Sequence, residues 1–149
     1  PSAPIASAPK PEVVRPDTPA AAREALPAIT GTTQTAWKAT TDASAKGAGG
    51  DVIWHSGAQR GFMRFTGLAA NDPATSQYQL WIFDAERDER YPVDGGVFDV
   101  GPTGEVVVPI AAKLHVNSPK LFAVTVEKPG GVVVSKRERI VLTASLPPT

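Results

Sequence analysis

The stretch Phe122-Ala123-Val124-Thr125-Val126-Glu127 decides the fold. Phe122, Val124 and Val126 fall on one side and Ala123, Thr125 and Glu127 on the other, the two-residue period of a strand with a dry face and a wet face. A second stretch, Tyr78-Gln79-Leu80-Trp81-Ile82-Phe83, has apolar side chains on both sides. Tyr78, Leu80 and Ile82 oppose Gln79, Trp81 and Phe83, which predicts a central strand covered on its second face by a loop or a partner.

Working outward, short runs rich in valine, phenylalanine and tryptophan begin at about Thr33, separated by glycine, proline, asparagine and aspartate. They predict strands at Thr35 to Thr40, Asp51 to His55, Gly61 to Thr66, Gln77 to Asp84, Gly96 to Val100, Glu105 to Ile110, Leu121 to Glu127 and Arg139 to Thr143. No long helical period interrupts them. The expected class is all-β, an antiparallel β-sandwich of about seven to eight strands.

Residues 1–32 have a different texture. Seven of the 15 prolines lie within residues 1–27, among alanine and serine that offer little area to bury. Such a segment reads as a flexible Pro/Ala-rich stalk ahead of a sandwich at 33–149. One short helix from about Asp17 to Ala25 is the alternative, with Asp17 or Thr18 as cap and Pro19 in the first turn.

Charge and composition exclude several functions. Fifteen basic and fifteen acidic side chains cancel, with a pI near 7.3, so no footprint for nucleic acid is expected. Cysteine is absent, which removes disulfides and thiolate chemistry. The longest apolar run, Val106 to Ala112, is far below the roughly 18 to 20 residues of a spanning helix. The chain opens at Pro1 without a methionine or a basic-then-apolar leader, as expected of a fragment or a processed product.

No catalytic, cofactor-binding or metal-ligating residue is expected, and the chain does not read as an enzyme. His55 and His115 are sixty residues apart, without the paired spacing of a metal site. His55 and Ser56 are strand neighbours on opposite faces, and no GxSxG elbow occurs. Asp84, Glu86 and Asp88 alternate as paired carboxylates might, yet six of the seven residues from Asp84 to Arg90 are charged, which predicts a solvated connection carrying ion pairs to Arg87 and Arg90. Lys46-Gly-Ala-Gly-Gly-Asp51 lacks the Lys-Ser/Thr and helix of a phosphate loop. Glu127-Lys-Pro-Gly-Gly131 reads as a turn. Trp37, Trp54 and Trp81 read as core anchors, with sugar stacking as the alternative.

Several pieces recur in a familiar order: a strand with Trp54, FTGL at Phe65 to Leu68, YQLWIFD at Tyr78 to Asp84, GGVFDV at Gly95 to Val100, GEVVVPI at Gly104 to Ile110, FAVTVEKPGG at Phe122 to Gly131 and IVLTA at Ile140 to Ala144. From Trp37 to Ala144 the chain resembles the C-terminal domain of the anti-sigma-K factor family (RskA type), with YQLW and VTVE-PGG the most specific segments. Gly67, Gly95, Gly96, Gly104 and Gly130 read as punctuation between strands. The connection at Glu86 to Arg90 and the extended Ala111 to Lys120 region depart from the family pattern.

The resemblance implies a regulatory domain. In that family a cytoplasmic N-terminal segment, outside this sequence, sequesters a sigma factor, and one transmembrane helix follows. The sandwich lies on the extracytoplasmic side, and an extracytoplasmic protease makes the first of two cuts at the stalk, releasing the sigma factor for transcription. The competing expectation is a secreted or surface sandwich that binds a ligand such as carbohydrate, marked by two or more tryptophans exposed on one face.

Overall fold

The computed structural model describes residues 19–26, 31–102 and 105–146. Among them, nine strands form two antiparallel sheets packed face to face, with one short helix, α1 (Pro19–Ala25), ahead of them. The strands are β1 (Thr32–Ala36), β2 (Lys38–Ala39), β3 (Gly49–His55), β4 (Arg60–Thr66), β5 (Gln77–Asp84), β6 (Val93–Phe98), β7 (Glu105–Pro109), β8 (Pro119–Glu127) and β9 (Ile140–Ser145). One sheet has the order β1-β3-β4-β7 and the other β2-β9-β8-β5-β6.

The predicted strand at Thr35 to Thr40 is two strands. It breaks at Trp37, where the chain leaves the edge of the first sheet, on β3, and joins the edge of the second, on β9. Trp37 fills that corner, and its ring begins a row of stacked rings at the centre of the sandwich: Trp37 to Phe65 at 5.4 Å, Phe65 to Phe98 at 5.2 Å, and Phe98 to Tyr78 at 5.7 Å. Trp54, Met63, Leu80, Ile82, Phe122, Val124 and Leu142 complete the core. Alternation along the strands delivers these side chains, since Val52, Trp54 and Met63 point inward while Ile53 and Phe62 between them point out.

The strand predicted at Gly96 to Val100 lies earlier, at Val93–Phe98. Gly95 sits inside it rather than before it, as the extra residue of an irregularity in β6: Leu80 pairs with Gly96 and Trp81 with Asp94. A Cβ at Gly95 would lie 2.5 Å from Leu80 Cδ2, so glycine here lets β6 close over Leu80.

Two segments read as solvent-facing are covered. Ala123 and Thr125, on the wet side of the β8 pattern, are buried, because the connection from Lys128 to Arg139 lies across the outer face of their sheet. Within the Pro/Ala-rich stretch, Pro19–Ala25 is α-helical rather than linker. The stalk reading of residues 1–18 and 27–30 lies outside the described residues.

Candidate functional site

The N-terminal helix carries the first candidate contact. Pro19 stands at the start, where a missing N–H costs nothing, and Ala20, Ala21, Ala22, Arg23, Glu24 and Ala25 are good helix formers. Ala22 and Leu26, four apart and therefore on one face, are buried against Ile53 and Phe62, with Val107 beside them. These three side chains are the outer face of the first sheet. Thr32 Oγ1 donates to the Leu26 carbonyl at 3.0 Å, tying the end of the helix to the start of β1.

Arg23 completes the contact. Its Nη2 donates to both oxygens of Asp51, at 2.6 and 2.5 Å, and Nη1 donates to Glu24 at 3.1 Å. Asp51 also accepts from Gln34 Nε2 at 2.9 Å and lies 3.5 Å from Arg64 Nε, while Arg64 reaches on to Glu105 at 3.0 Å. Burial alone would raise the Asp51 carboxyl, but the hydrogen bonds from Arg23 and Gln34 and the charges of Arg23 and Arg64 outweigh it and hold the group below its ordinary value. Arg23 Nε is buried without a hydrogen-bond partner, so the pairing is incomplete.

Magnitudes show how firmly the helix is held. Burying Leu26 contributes roughly 1.5–3 kcal/mol and Ala22 less. A buried ion pair adds little net, since desolvation offsets its Coulomb gain. Against this stands the ordering of a helix far shorter than the roughly 12 residues at which isolated helices become even marginal. The docked state is therefore favoured by a few kcal/mol at most, well below the stability of a whole domain.

The second candidate is the strap from Lys128 to Arg139. Gln79, buried in the middle of β5, accepts from Val132 N at 2.9 Å and donates to Val132 O at 3.0 Å, while Gln77 accepts from Gly130 N at 2.8 Å. Trp81 Nε1 donates to Thr125 Oγ1 at 2.9 Å, Thr125 Oγ1 donates to Glu127 at 2.6 Å, and Ser135 Oγ donates to the same carboxylate at 2.5 Å. Arg137 lies over the Phe83 ring at 5.0 Å and donates to Glu89 O at 2.6 Å. Trp81 sits between these anchors, 2% exposed. Its environment answers the prediction that β5 is covered on both faces.

The third feature joins the two segments that depart from the family pattern. Asp84 is buried rather than solvated and accepts from the backbone N–H groups of Glu86, Asn117 and Ser118 at 3.0, 2.9 and 3.2 Å. Burial would raise its carboxyl, and those three hydrogen bonds with the Arg87 charge more than offset that, leaving it lowered. Glu86 accepts from Asn117 and Ser118 side chains, Lys120 pairs with Glu89, and Arg87 reaches His115 O. The remaining charges of the loop are a surface ion pair, with Asp88, pulled to about 2 by its hydrogen bonds from Arg90, exposed beside that arginine.

No reaction centre is assembled from these parts. Among the described residues no group of three His, Asp or Glu side chains could hold a metal ion. His55 Nδ1 accepts from Ala58 N, while Ser56 Oγ accepts from Trp54 Nε1 and donates to Asn117 O, so the two neighbours have separate structural partners. Lys46 to Asp51 leads into β3 with no helix behind it. Trp37, Trp54 and Trp81 are 6%, 1% and 2% exposed, so none of them offers the stacking platform of a sugar-binding face. No helix among the described residues is long and apolar enough to cross a membrane.

Among the described residues the fold is an antiparallel β-sandwich with a helix docked on one sheet and a strap across the other. Residues 6–138 match the family described as anti-sigma-K factor rskA, C-terminal, and the chain belongs to that family. Membership implies a regulatory, non-catalytic role with a sigma factor as the partner. No curated protein and no solved structure matches the chain.

Sequence reasoning missed how tightly two segments are bound. Ala22 and Leu26 at helical spacing behind Pro19 were the signal for a docked helix. Gln79, a lone amide in an otherwise apolar strand, was the signal that something on the second face needed a hydrogen-bonding partner.

Proposed function

We propose that this domain is the extracytoplasmic part of a membrane-anchored anti-sigma factor and that it controls sigma-factor release by gating the first of two proteolytic cuts, made in the stalk. In this reading the anchor is a transmembrane helix and the sigma-binding segment a cytoplasmic domain, both N-terminal to the sandwich. The observation that supports the reading is the docking of Pro19–Ala25 and Leu26 on the first sheet, a folded, tied-down element within the segment read as the stalk. Proteases bind substrate as extended chain, and a packed helix withholds its backbone from them.

The test is deletion of Thr33 to Thr149 from the membrane-anchored protein. Constitutive stalk cleavage and elevated sigma-dependent transcription are expected. Unchanged cleavage and release would refute the gating role.

A further inference from the structure

The outer face of the first sheet is an interaction surface whose occupant is this chain's own segment. Ile53, Phe62 and Val107 provide its apolar floor, Asp51 its anion, and Ala22, Arg23 and Leu26 the matching side chains. We propose that α1 is a detachable latch on this surface, exchanging between a docked helix and a free extended segment while the sandwich beneath stays folded. This rests on the reading above that a cut beside the sandwich starts the signal, and it names the element that opens.

Three features of the contact support exchange rather than permanent fusion. First, the helix belongs to neither sheet, so lifting it breaks no strand pairing. The outer cluster shares no residue with the central core, because Ile53 and Phe62 point away from the layer that holds Val52, Trp54 and Met63.

Second, the surface has a replacement partner in place for the charge it would lose. When Arg23 leaves, Asp51 keeps Gln34 at 2.9 Å and Arg64 at 3.5 Å, so no carboxylate is stranded without a cation. Breaking a buried ion pair is costly mainly where the remaining charge has nothing else to meet. On the helix side, Arg23 Nε has no partner even when docked, and the guanidinium gains water on release.

Third, the two states differ in backbone form. A helix of seven residues does not persist once its apolar support is gone, so detachment converts it to the extended chain that a protease groove accepts. The switch needs no rearrangement of the sandwich. Detachment also bares Ile53 and Phe62, the latter flanked by Arg60 at 5.4 Å from its ring, and whatever covers them would hold the latch open.

Hydrogen exchange on the full chain tests this, read at the amides of Arg23 to Leu26 and in β3, β4, β5 and β8 of the unmodified protein, Arg23→Ala and Leu26→Ala. Leu26→Ala should lower protection of the helix amides by about 10-fold or more, and Arg23→Ala by a smaller factor, while the strands keep theirs. Cleavage within residues 19–26 by a non-specific protease should rise by a similar factor. Unchanged helix protection in both variants would overturn the latch, and so would loss of protection in helix and strands together, which would make the helix part of the fold. The same substitutions in the membrane-anchored protein separate the two ideas. If the helix opens in exchange but the rate of the first cut is unchanged, the latch stands and the gating role falls.

Discussion

Replacing Gln79 with alanine should unfasten the strap without unfolding the sheets. The side chain is 1% exposed and makes two hydrogen bonds to one strap residue, Val132. Each is worth about 1 kcal/mol net, and the lost methylenes add about 1 kcal/mol of packing. Val132 is only half-buried, so water can reach its freed N–H and C=O once the strap lifts, and the larger penalty for a stranded buried group does not apply. The expected cost is about 2–3 kcal/mol, or roughly 8–15 °C in Tm for a domain of this size. Fluorescence gives the decisive readout, because Trp37, Trp54 and Trp81 are all buried and only Trp81 lies under the strap. Acrylamide should barely quench the parent, whereas in Gln79→Ala about one third of the emission should become accessible, and limited proteolysis should nick within residues 128–139. A variant with the parent's quenching and proteolysis and a loss under about 0.5 kcal/mol would refute the argument that Gln79 fastens the strap over Trp81.

Other substitutions probe the remaining contacts. Asp84→Asn should cost roughly 2–3 kcal/mol at neutral pH by denaturant unfolding, since a carboxylate receiving three backbone N–H groups cannot be matched by an amide with one acceptor oxygen. The Asp84 carboxyl is lowered on folding, so its contribution is present above the ordinary value of 3.8 and is lost as pH falls through the folded value; the gap between parent and variant should close on acidification through that window. Gly50→Ala should cost roughly 3 kcal/mol or more, because φ is +117° and the new Cβ would sit 1.9 Å from Arg64 O, backbone that cannot swing aside. Leu80→Ala, at a fully buried position, should cost about 2–5 kcal/mol. Gly95→Ala should be strongly destabilising alone and much less so in the Leu80→Ala background, where Cγ and Cδ2, the atoms 2.7 and 2.5 Å from the new Cβ, are gone; additive effects in thermal unfolding would refute that steric account.

How much was legible follows from which interactions are local. The runs of β3, β4, β5 and β8 follow from alternation and the turn residues that bound them, and these strands stand close to where periodicity puts them. The break at Trp37 was not legible, because a strand that changes sheets has the same local pattern as one that does not, and only packing against Phe65 reveals the corner. Ala123 and Thr125 carry a polar-face signature that the strap overrides, held down by hydrogen bonds to Gln79 on the neighbouring strand and to Glu127 at the end of β8. Family motifs were legible for a related reason: YQLW and VTVE are core strands, whose spacing any relative with the same sandwich must keep.

The contacts that bear on regulation are the ones local patterning reveals least, and the physics explains why. A core strand is specified by a period repeated over many residues, whereas a reversible contact must be small enough to break, so it leaves only a few residues in the sequence. The helix contact uses Ala22, Arg23 and Leu26, and its receptor uses Asp51, Ile53, Phe62 and Val107. Asp51 reads from sequence as the first residue of a strand after a glycine-rich stretch, and only the fold shows it within reach of Arg23, Gln34 and Arg64 together. One carboxylate with two arginines near it can release either without being stranded. That surplus of cations around one anion distinguishes a contact that can exchange from a salt bridge that fixes a fold, and it would disappear in Arg64→Ala, where detaching the helix would leave Asp51 with Gln34 alone. Protection of the Arg23 to Leu26 amides in Arg64→Ala should therefore rise by several-fold over the parent, and a fall would show that Arg64 supports the docked state rather than the released one.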